Sequence, residues 1–377
     1  MTAPTEARPA PFALIAVALS LLVVPLNCVV FYLMLDGPRS ELDTWLVLFL
    51  MLAGLQFVFG VVAVVAGVIE RRRNGQGGLG PIIFGSLSAL GAPAGAVGAV
   101  FLSALSSMGG AWGRPLRVKG RQLHPNLREG ADWTDGDRPE AGALAEADRR
   151  ALEALWLHDA QKEHASVPAF SRISWLLAAV GAPAELMTWS HRAAMEEIDH
   201  ARRCFALAAG YGGRTFTVEP MPDLLLGALE LKDDPLVTLA VESVSDGCQL
   251  EDFNADVAGE CATVCEEPAT KRLLEQIARE ERSHADFSWA LVEWLVQRDA
   301  PRVVPALARA VERLEGYPRP TAVSAEKQGL VAKADASVLR RHGRLPDERW
   351  AALWDVRLAA TRDRVQRLLG GVQARAA

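Results

Sequence analysis

The chain has 377 residues, of which 50% are hydrophobic, and a formal net charge of −6 at pH 7. Nine Lys/Arg and five Asp/Glu give residues 1–121 a charge of +4, so residues 122–377 carry −10. Binding to nucleic acid depends on neutralising phosphates with Lys and Arg, which a strongly acidic region does not favour. We therefore expect no nucleic-acid partner, and the acidic region is better suited to metal cations.

Much of the apolar composition lies in the first 110 residues. Three runs there, at residues 11–35, 45–69 and 79–105, contain no charged side chain. Each is longer than the ~20 residues that an apolar helix needs to cross a bilayer. The third run contains Gly91-Ala-Pro93-Ala-Gly95, which favours either a kinked span or a re-entrant segment. We predict a membrane region over residues 1–110 with two or three transmembrane helices.

The expected location is the bacterial inner membrane, but the basic residues leave the orientation open. Arg71, Arg72 and Arg73 follow the second apolar run, and another basic stretch spans residues 114–121. Both stretches favour the cytoplasmic side. Three full spans would place them on opposite sides, whereas a re-entrant third run would place both on the same side.

Helical periodicity begins near residue 145, after a Gly-, Pro-, Arg- and Asp-rich segment (111–144) that is typical of a linker. We predict no strand beyond this point and four long helices. The first spans 145–180, the second follows it to residue 209, and the third and fourth span 235–265 and 268–298. Asp234-Pro235 and Glu267-Pro268 are typical helix starts.

The connections between these helices are short, long and short in turn. That order is typical of a four-helix bundle with one long crossover, as in ferritin-like folds. We therefore predict an all-α fold with a ferritin-like bundle over residues 145–298. Extra C-terminal helices over residues 299–377 form either a layer packed on the bundle or a homodimer surface.

The second and fourth predicted helices carry the same motif, Glu-Glu-x-x-His, at residues 196–200 and 280–284. Positions i and i+3 lie on one helix face, so Glu197 and His200 can bind one metal ion together. Glu281 and His284 form the equivalent pair. A single Glu-x-x-His is also typical of an exposed helix face, but two copies on two helices of one bundle point to a metal site.

Counting from the turn near residue 267 identifies the carboxylate that faces the second pair. Glu281 and His284 lie opposite positions 250–253 of an antiparallel neighbour, where the sequence has Glu251 and Asp252. Glu251 is preferred because its side chain is longer. Glu242 misses this height by about 15 Å at ~1.5 Å per residue.

The same count from the turn near residue 182 places the partner of the first pair near positions 164–167. Glu163 lies one position outside this window and is the only acid between Asp159 and Glu185. His164 points about 100° away from it. We therefore choose Glu163 and expect His164 to be a packed or surface histidine.

Four carboxylates and two imidazoles form a nearly neutral set around two divalent ions. Such a set suits two iron ions, or a manganese or mixed iron–manganese pair, better than structural zinc, which prefers a closed Cys/His shell. The predicted metal ligands are Glu163, Glu197, His200, Glu251, Glu281 and His284.

This ligand pattern resembles the ferritin-like di-iron carboxylate superfamily, which includes rubrerythrins, ferroxidases and di-iron hydroxylases. Residues 163–170 and 199–205, with Gly247-Cys248 ahead of Glu251, also resemble bacterial ferritin-like domain proteins of no settled activity. The resemblance covers residues 145–298. It implies that Glu280 orients His200 and that Glu196 orients His284; the alternative is that both acids are surface residues.

The resemblance and the apolar N-terminal region together predict a membrane-anchored non-haem di-iron oxidoreductase that activates O₂ or peroxide. Its substrate and its electron donor are unknown. One alternative is a ferroxidase or iron-handling protein that uses the same site. Another is a non-catalytic, metal-stabilised structural or sensing module.

Overall fold

The structure, a computed structural model, describes residues 42–74 and 114–376, with gaps at 115, 119–120, 227–230, 232 and 318, and seven isolated positions before residue 87. The chain divides into two compact units, Met1–Leu105 and Ser106–Ala377. The described residues are predominantly helical.

In the first unit the described helix is α1, Leu42–Asn74. Its stretch Leu48–Ala66 is long and apolar enough to cross a membrane, and no other helix in the described residues meets this test. Several of its large apolar side chains are exposed, including Met51 at 68%. The other two predicted spans, 11–35 and 79–105, lie almost entirely outside the described residues, so a region of two or three spans stays a prediction.

The second unit contains two short antiparallel strand pairs. Strand β1 (Arg117–Val118) pairs with β2 (Arg121–Gln122), and β3 (Leu127–Glu129) pairs with β4 (Phe216–Val218). The prediction that no strand follows residue 145 is therefore wrong at β4. This strand has three residues, which is too short for an alternating pattern to be recognised, and its partner is distant in sequence.

Four long helical segments, here called the four-helix core, form the centre of this unit. They are α2 (Glu146–Ala179), α3 (Ala184–Gly212), a composite third segment and α6 (Pro268–Glu315). The composite segment consists of α4 (Pro235–Glu242), a π-helical stretch (Ser243–Glu251) and α5 (Asp252–Val264). α2 packs on α3, and α6 packs on all parts of the composite segment and on α3.

The helix ends follow from local capping chemistry. The backbone N–H of Leu236 donates to the Asp234 carboxylate at 2.9 Å, and that of Thr270 donates to Glu267 at 2.6 Å. Proline follows each cap at the first helical position, where no N–H is needed. Gly213, with φ of 73°, ends α3 in the left-handed conformation. Both predicted proline starts are confirmed.

α6 extends beyond the predicted end at residue 298. The backbone of Asp299 leaves helical geometry, with φ of −157° and ψ of 72°, and the helix then resumes to Glu315. The Asp299 carboxylate accepts from the backbone N–H of Arg302 at 3.2 Å, which caps the second part. The predicted end therefore coincides with a break rather than with the end of the helix.

Two apolar layers make up the four-helix core, and a polar layer lies between them. One apolar layer contains residues such as Trp156, Phe205 and Leu274. The other contains residues such as Phe170, Leu239 and Phe287. Each of the four core segments contributes one of its ends to each apolar layer. The predicted metal ligands lie in the polar layer between them.

The C-terminal helices are α7 (Ala325–Val331), α8 (Ala336–Arg341) and α9 (Asp347–Ala376). Trp354 of α9 packs edge-on against Phe253 at 5.3 Å between ring centroids. Arg357 pairs with Asp252 at 3.0 Å and with Asp256 at 2.6 Å. These helices therefore form a layer packed on the four-helix core.

Candidate metal centre

The structure brings all six predicted metal ligands into one buried cluster. α2 supplies Glu163, α3 supplies Glu197 and His200, the end of the π-helical stretch supplies Glu251, and α6 supplies the remaining pair. Each of the six side chains is 0% exposed: Glu163, Glu197, His200, Glu251, Glu281 and His284.

Two groups of possible metal ligands exist within this cluster. Glu163 and His200 belong to the first group, and Glu251 and His284 belong to the second. Glu197 and Glu281 belong to both, and within each group the ligand atoms lie within 4.8 Å of one another. Each group can hold a metal ion, and the two groups share two carboxylates.

The atoms of the cluster that could bind a metal are buried and have no hydrogen-bond partner. They are both carboxylate oxygens of each of the four glutamates and the Nδ1 atom of each histidine. Buried polar atoms are hydrogen-bonded in the great majority of cases, because leaving them without a partner costs free energy. Ten such atoms in one place, all of kinds that bind metals, are what a cation site requires.

Two glutamates outside the cluster orient the histidines. The Nε2 atom of His200 lies 2.6 Å from a carboxylate oxygen of Glu280, and Nε2 of His284 lies 2.8 Å from one of Glu196. These hydrogen bonds turn each Nδ1 toward the cluster, where that of His284 lies 3.3 Å from Glu197. Both contacts expected for Glu280 and Glu196 are thus present, and they fix which nitrogen faces the cluster.

The electrostatics of the metal-free cluster favour holding protons. Burial, together with the neighbouring Glu197, raises the pKa of Glu163 well above its usual value. Burial and Glu251 do the same to the pKa of Glu281. Burial also raises the pKa of Glu251. These buried carboxylates repel one another, which favours the neutral form of some of them when no cation is bound.

Glu197 differs from the other three glutamates. Burial alone would raise its pKa, but its close contacts with His200 and His284 lower it to about 2. Burial opposes protonation of His284, yet the hydrogen bond to Glu196 and the nearby Glu197 raise its pKa to about 9. Without a cation, the ionised form of Glu197 and the protonated form of His284 therefore favour each other.

The residues fit a pair of divalent cations. Four carboxylates with two neutral imidazoles balance two such ions in charge. The donors are oxygen with some nitrogen and no sulfur, a set that can bind divalent metal ions. A cation would also remove the mutual repulsion of the buried glutamates.

The three residues that the sequence analysis did not choose as metal ligands, Glu242, Asp252 and His164, lie outside the cluster. Glu242 forms an ion pair with Arg172. Asp252 forms ion pairs with Arg282 and with Arg357. His164 packs edge-on against Trp133 with ring centroids 4.6 Å apart, and burial lowers its pKa to about 4.

Two features near the cluster were not expected from the sequence. The first is the π-helical stretch that ends at Glu251, a type of turn that is rare and often found at functional sites. The second is Arg114, which packs over Phe170 at 5.3 Å, while Phe170 packs against His284 at 5.1 Å. From the sequence, residues 114–121 are interpreted as a basic segment that follows the third apolar run. The glycine at position 247, inside a predicted helix, is the one signal that could have indicated a close approach.

Comparison with protein-family models, with curated proteins and with solved structures finds no match for this chain. The chemistry of the cluster is therefore inferred from its own residues.

Proposed function

We propose that the chain is a membrane-anchored non-haem di-iron oxidoreductase with a ferritin-like four-helix bundle. The observation that supports this most strongly is the pair of ligand groups that share Glu197 and Glu281. One glutamate from each of two helices, with Glu-x-x-His on each of the other two, is the pattern of di-iron and di-manganese carboxylate proteins.

In this proposal Glu197 and Glu281, which belong to both ligand groups, would be shared by the two ions. Glu163 and His200 would hold one ion with them, and Glu251 and His284 would hold the other. Each ion would thus be offered four ligand residues. When bound, the iron pair supplies redox chemistry with O₂ or peroxide.

The protein itself keeps the site dry and holds the histidines in one tautomer. His200 and His284 donate from Nε2 to Glu280 and Glu196, whose side chains are 27% and 24% exposed. Each histidine is therefore linked to the protein surface through one carboxylate.

The membrane part of the proposal rests on α1, whose stretch Leu48–Ala66 meets the length and composition of a spanning helix. Tethering to a bilayer would favour a lipophilic substrate or a membrane-soluble electron donor.

The test uses the full chain in detergent, loaded with Fe²⁺ under nitrogen and then exposed to air. We expect new near-ultraviolet absorption, absent from a Glu281→Ala variant and present in Glu242→Ala, which changes an acid outside the cluster. Bound iron whose spectrum ignores O₂ and peroxide would instead indicate a structural module. Continuous Fe²⁺ oxidation without an organic substrate would indicate a ferroxidase.

A further inference from the structure

A cavity of about 180 Å³ lies between α2 and the start of the π-helical stretch. Its walls include Arg114, Leu116, Arg172, Glu242, Ser245 and Asp246. Pockets for drug-sized ligands occupy roughly 300–1,000 Å³, so this one suits a small molecule or one end of a larger molecule.

Arg114 is the unusual member of this lining, because its charged side chain is only 2% exposed. Nη2 donates to the backbone carbonyl of Glu242 at 3.2 Å, and the guanidinium stacks over Phe170. Nη1 is buried without any hydrogen-bond partner. Within the described part of the chain, no carboxylate forms an ion pair with this guanidinium.

A buried guanidinium without a counter-ion is costly, since arginine stays charged in proteins and its desolvation must be offset by pairing. An apolar side chain of similar size would fill the same space at lower cost. The arrangement is therefore suited to an anion, which Nη1 would bind through a charge-assisted hydrogen bond.

Two neighbouring residues, Gly247 and Ser166, determine the position of the Arg114 side chain and backbone. A Cβ atom at Gly247 would lie 2.8 Å from Nη2 of Arg114 and 2.0 Å from Oγ of Ser288, so only glycine leaves the required space. The hydroxyl of Ser166 donates to the backbone carbonyl of Arg114 at 3.0 Å and holds the segment in place.

The position of Arg114 relates the cavity to the metal centre. Gly247 lies one helical turn before Glu251, and Ser288 donates to the backbone carbonyl of His284 at 3.0 Å. Arg114 and His284 contact the same aromatic ring, that of Phe170. A group bound to Arg114 would thus be held beside the Glu251–His284 half of the cluster.

We propose that this cavity binds the carboxylate group of the organic compound on which the di-metal centre acts. The role of that carboxylate as part of a substrate rests on the proposed function, whereas the carboxylate site itself does not. Two arginines and two acids line the cavity. The lining is thus formally neutral; Arg172 pairs with Glu242, and the buried Nη1 atom of Arg114 is the donor that we assign to a monoanion.

The test is calorimetric titration of the full chain in detergent, both metal-free and manganese-loaded. The probes are acetate, its neutral isostere acetamide, and inorganic phosphate. We expect acetate to bind both forms and to bind at least about tenfold tighter than acetamide, because a charge-assisted hydrogen bond is lost in the neutral compound. Phosphate, largely a dianion at neutral pH, is expected to bind more weakly than acetate.

Arg114→Met should weaken acetate binding by about 10- to 100-fold. Arg364→Met is the matched control, since Arg364 also stacks on an aromatic ring, Trp289 at 4.1 Å, but lies outside the cavity. Acetate affinity should be unchanged in this control. Without anions, the unfolding temperature of Arg114→Met should equal or exceed that of the original chain, because an unpaired buried charge has been removed.

Acetate binding that survives in Arg114→Met would overturn the proposal, since acetate would then occupy the metals or another site. A lower unfolding temperature in that variant, with no acetate binding by the original chain, would show a structural role for Arg114 and also overturn it. Acetate binding through Arg114 in a chain that binds no metal would support the carboxylate site but overturn the proposed function.

Discussion

The cluster has two halves: the first contains Glu163 with the pair Glu197 and His200, and the second contains Glu251 with the pair Glu281 and His284. The two halves have different surroundings. Glu163 and His200 lie on α2 and α3, two uninterrupted α-helices, beside the apolar layer that contains Trp156 and Phe205. In the other half, Glu251 ends the π-helical stretch. His284 there packs against Phe170, close to Arg114.

The ligand residues of the two halves are alike, whereas the residues around them differ. Two similar cations require similar ligand atoms, so the likeness of the ligands follows from metal binding. The surroundings are free of this requirement, and the π-helical stretch, the buried Arg114 and the cavity that it lines all lie beside the second half. We therefore expect metal binding to depend on both halves and substrate recognition to depend mainly on the second.

The largest expected effect comes from removing a ligand that both halves share. Glu197→Ala and Glu281→Ala should lose both metal ions, whereas Glu163→Ala and Glu251→Ala should each retain one. Metal per chain, measured by plasma mass spectrometry, checks this. The metal content of Glu242→Ala should be unchanged. Equal losses in all four variants would show that the halves are not separate sites.

The next effect concerns the pH dependence of the metal-free protein. Burial raises the pKa of Glu163 and Glu281, and hydrogen bonds that outweigh burial raise that of His284 to about 9. The native state then holds protons that the unfolded chain releases, so stability falls as pH rises: from about 4.5 upward through the two glutamates, and between about 6.5 and about 9 through His284. For His284 alone the loss is about 3 kcal/mol at most.

Denaturant unfolding of the full chain at several pH values measures this decline. Glu197, whose pKa is lowered to about 2, stays ionised throughout the interval and does not contribute. Metal binding displaces the protons, so the loaded protein should show no such decline. A metal-free protein whose stability is constant or rises over this interval would contradict the proton-holding cluster.

A smaller effect is expected from the acids that orient the histidines. Glu280→Gln and Glu196→Gln should each weaken binding of one metal ion by about 10- to 100-fold, because the histidine loses a charged acceptor. Chelator competition measures the affinities. Glu275→Gln, at an exposed position of α6, serves as the control. Unchanged affinity in both variants would mean that the hydrogen bonds to His200 and His284 are incidental.

The smallest effect lies outside both halves. Arg357→Gln breaks the ion pairs of α9 with Asp252 and Asp256 and should lower the free energy of unfolding by about 2 kcal/mol. Metal content should not change. Arg367→Gln, at an exposed position of the same helix, should have little effect on either quantity. Loss of metal in Arg357→Gln would show that the C-terminal layer shapes the site.

Sequence patterns were sufficient to predict that these six residues lie close together. The count placed Glu251 level with Glu281 and His284 because α5 is a regular α-helix between Glu251 and the turn at 267. The π-helical stretch lies entirely on the other side of Glu251, so its extra residues do not disturb that count. Had the π turn followed Glu251, the same reasoning would have chosen the wrong acid.

The surroundings of the second half were not predictable in the same way. No local pattern distinguishes a π turn from an α-helix in residues 243–251, a stretch that packs against α6 and α9. Arg114 is distant in sequence from Gly247 and Phe170, so only the fold brings them together. Strand β4 was missed for the same reason, because its partner precedes the helices.

X-ray absorption spectroscopy of the full chain loaded with iron or manganese tests the central claim most directly. We predict oxygen and nitrogen donors around each ion and a second metal at about 3.5–4 Å, the separation typical of two-metal sites. Glu281→Ala should abolish the metal–metal signal. Isolated ions without a metal neighbour, or a spectrum that Glu281→Ala leaves unchanged, would contradict a di-metal centre at this cluster.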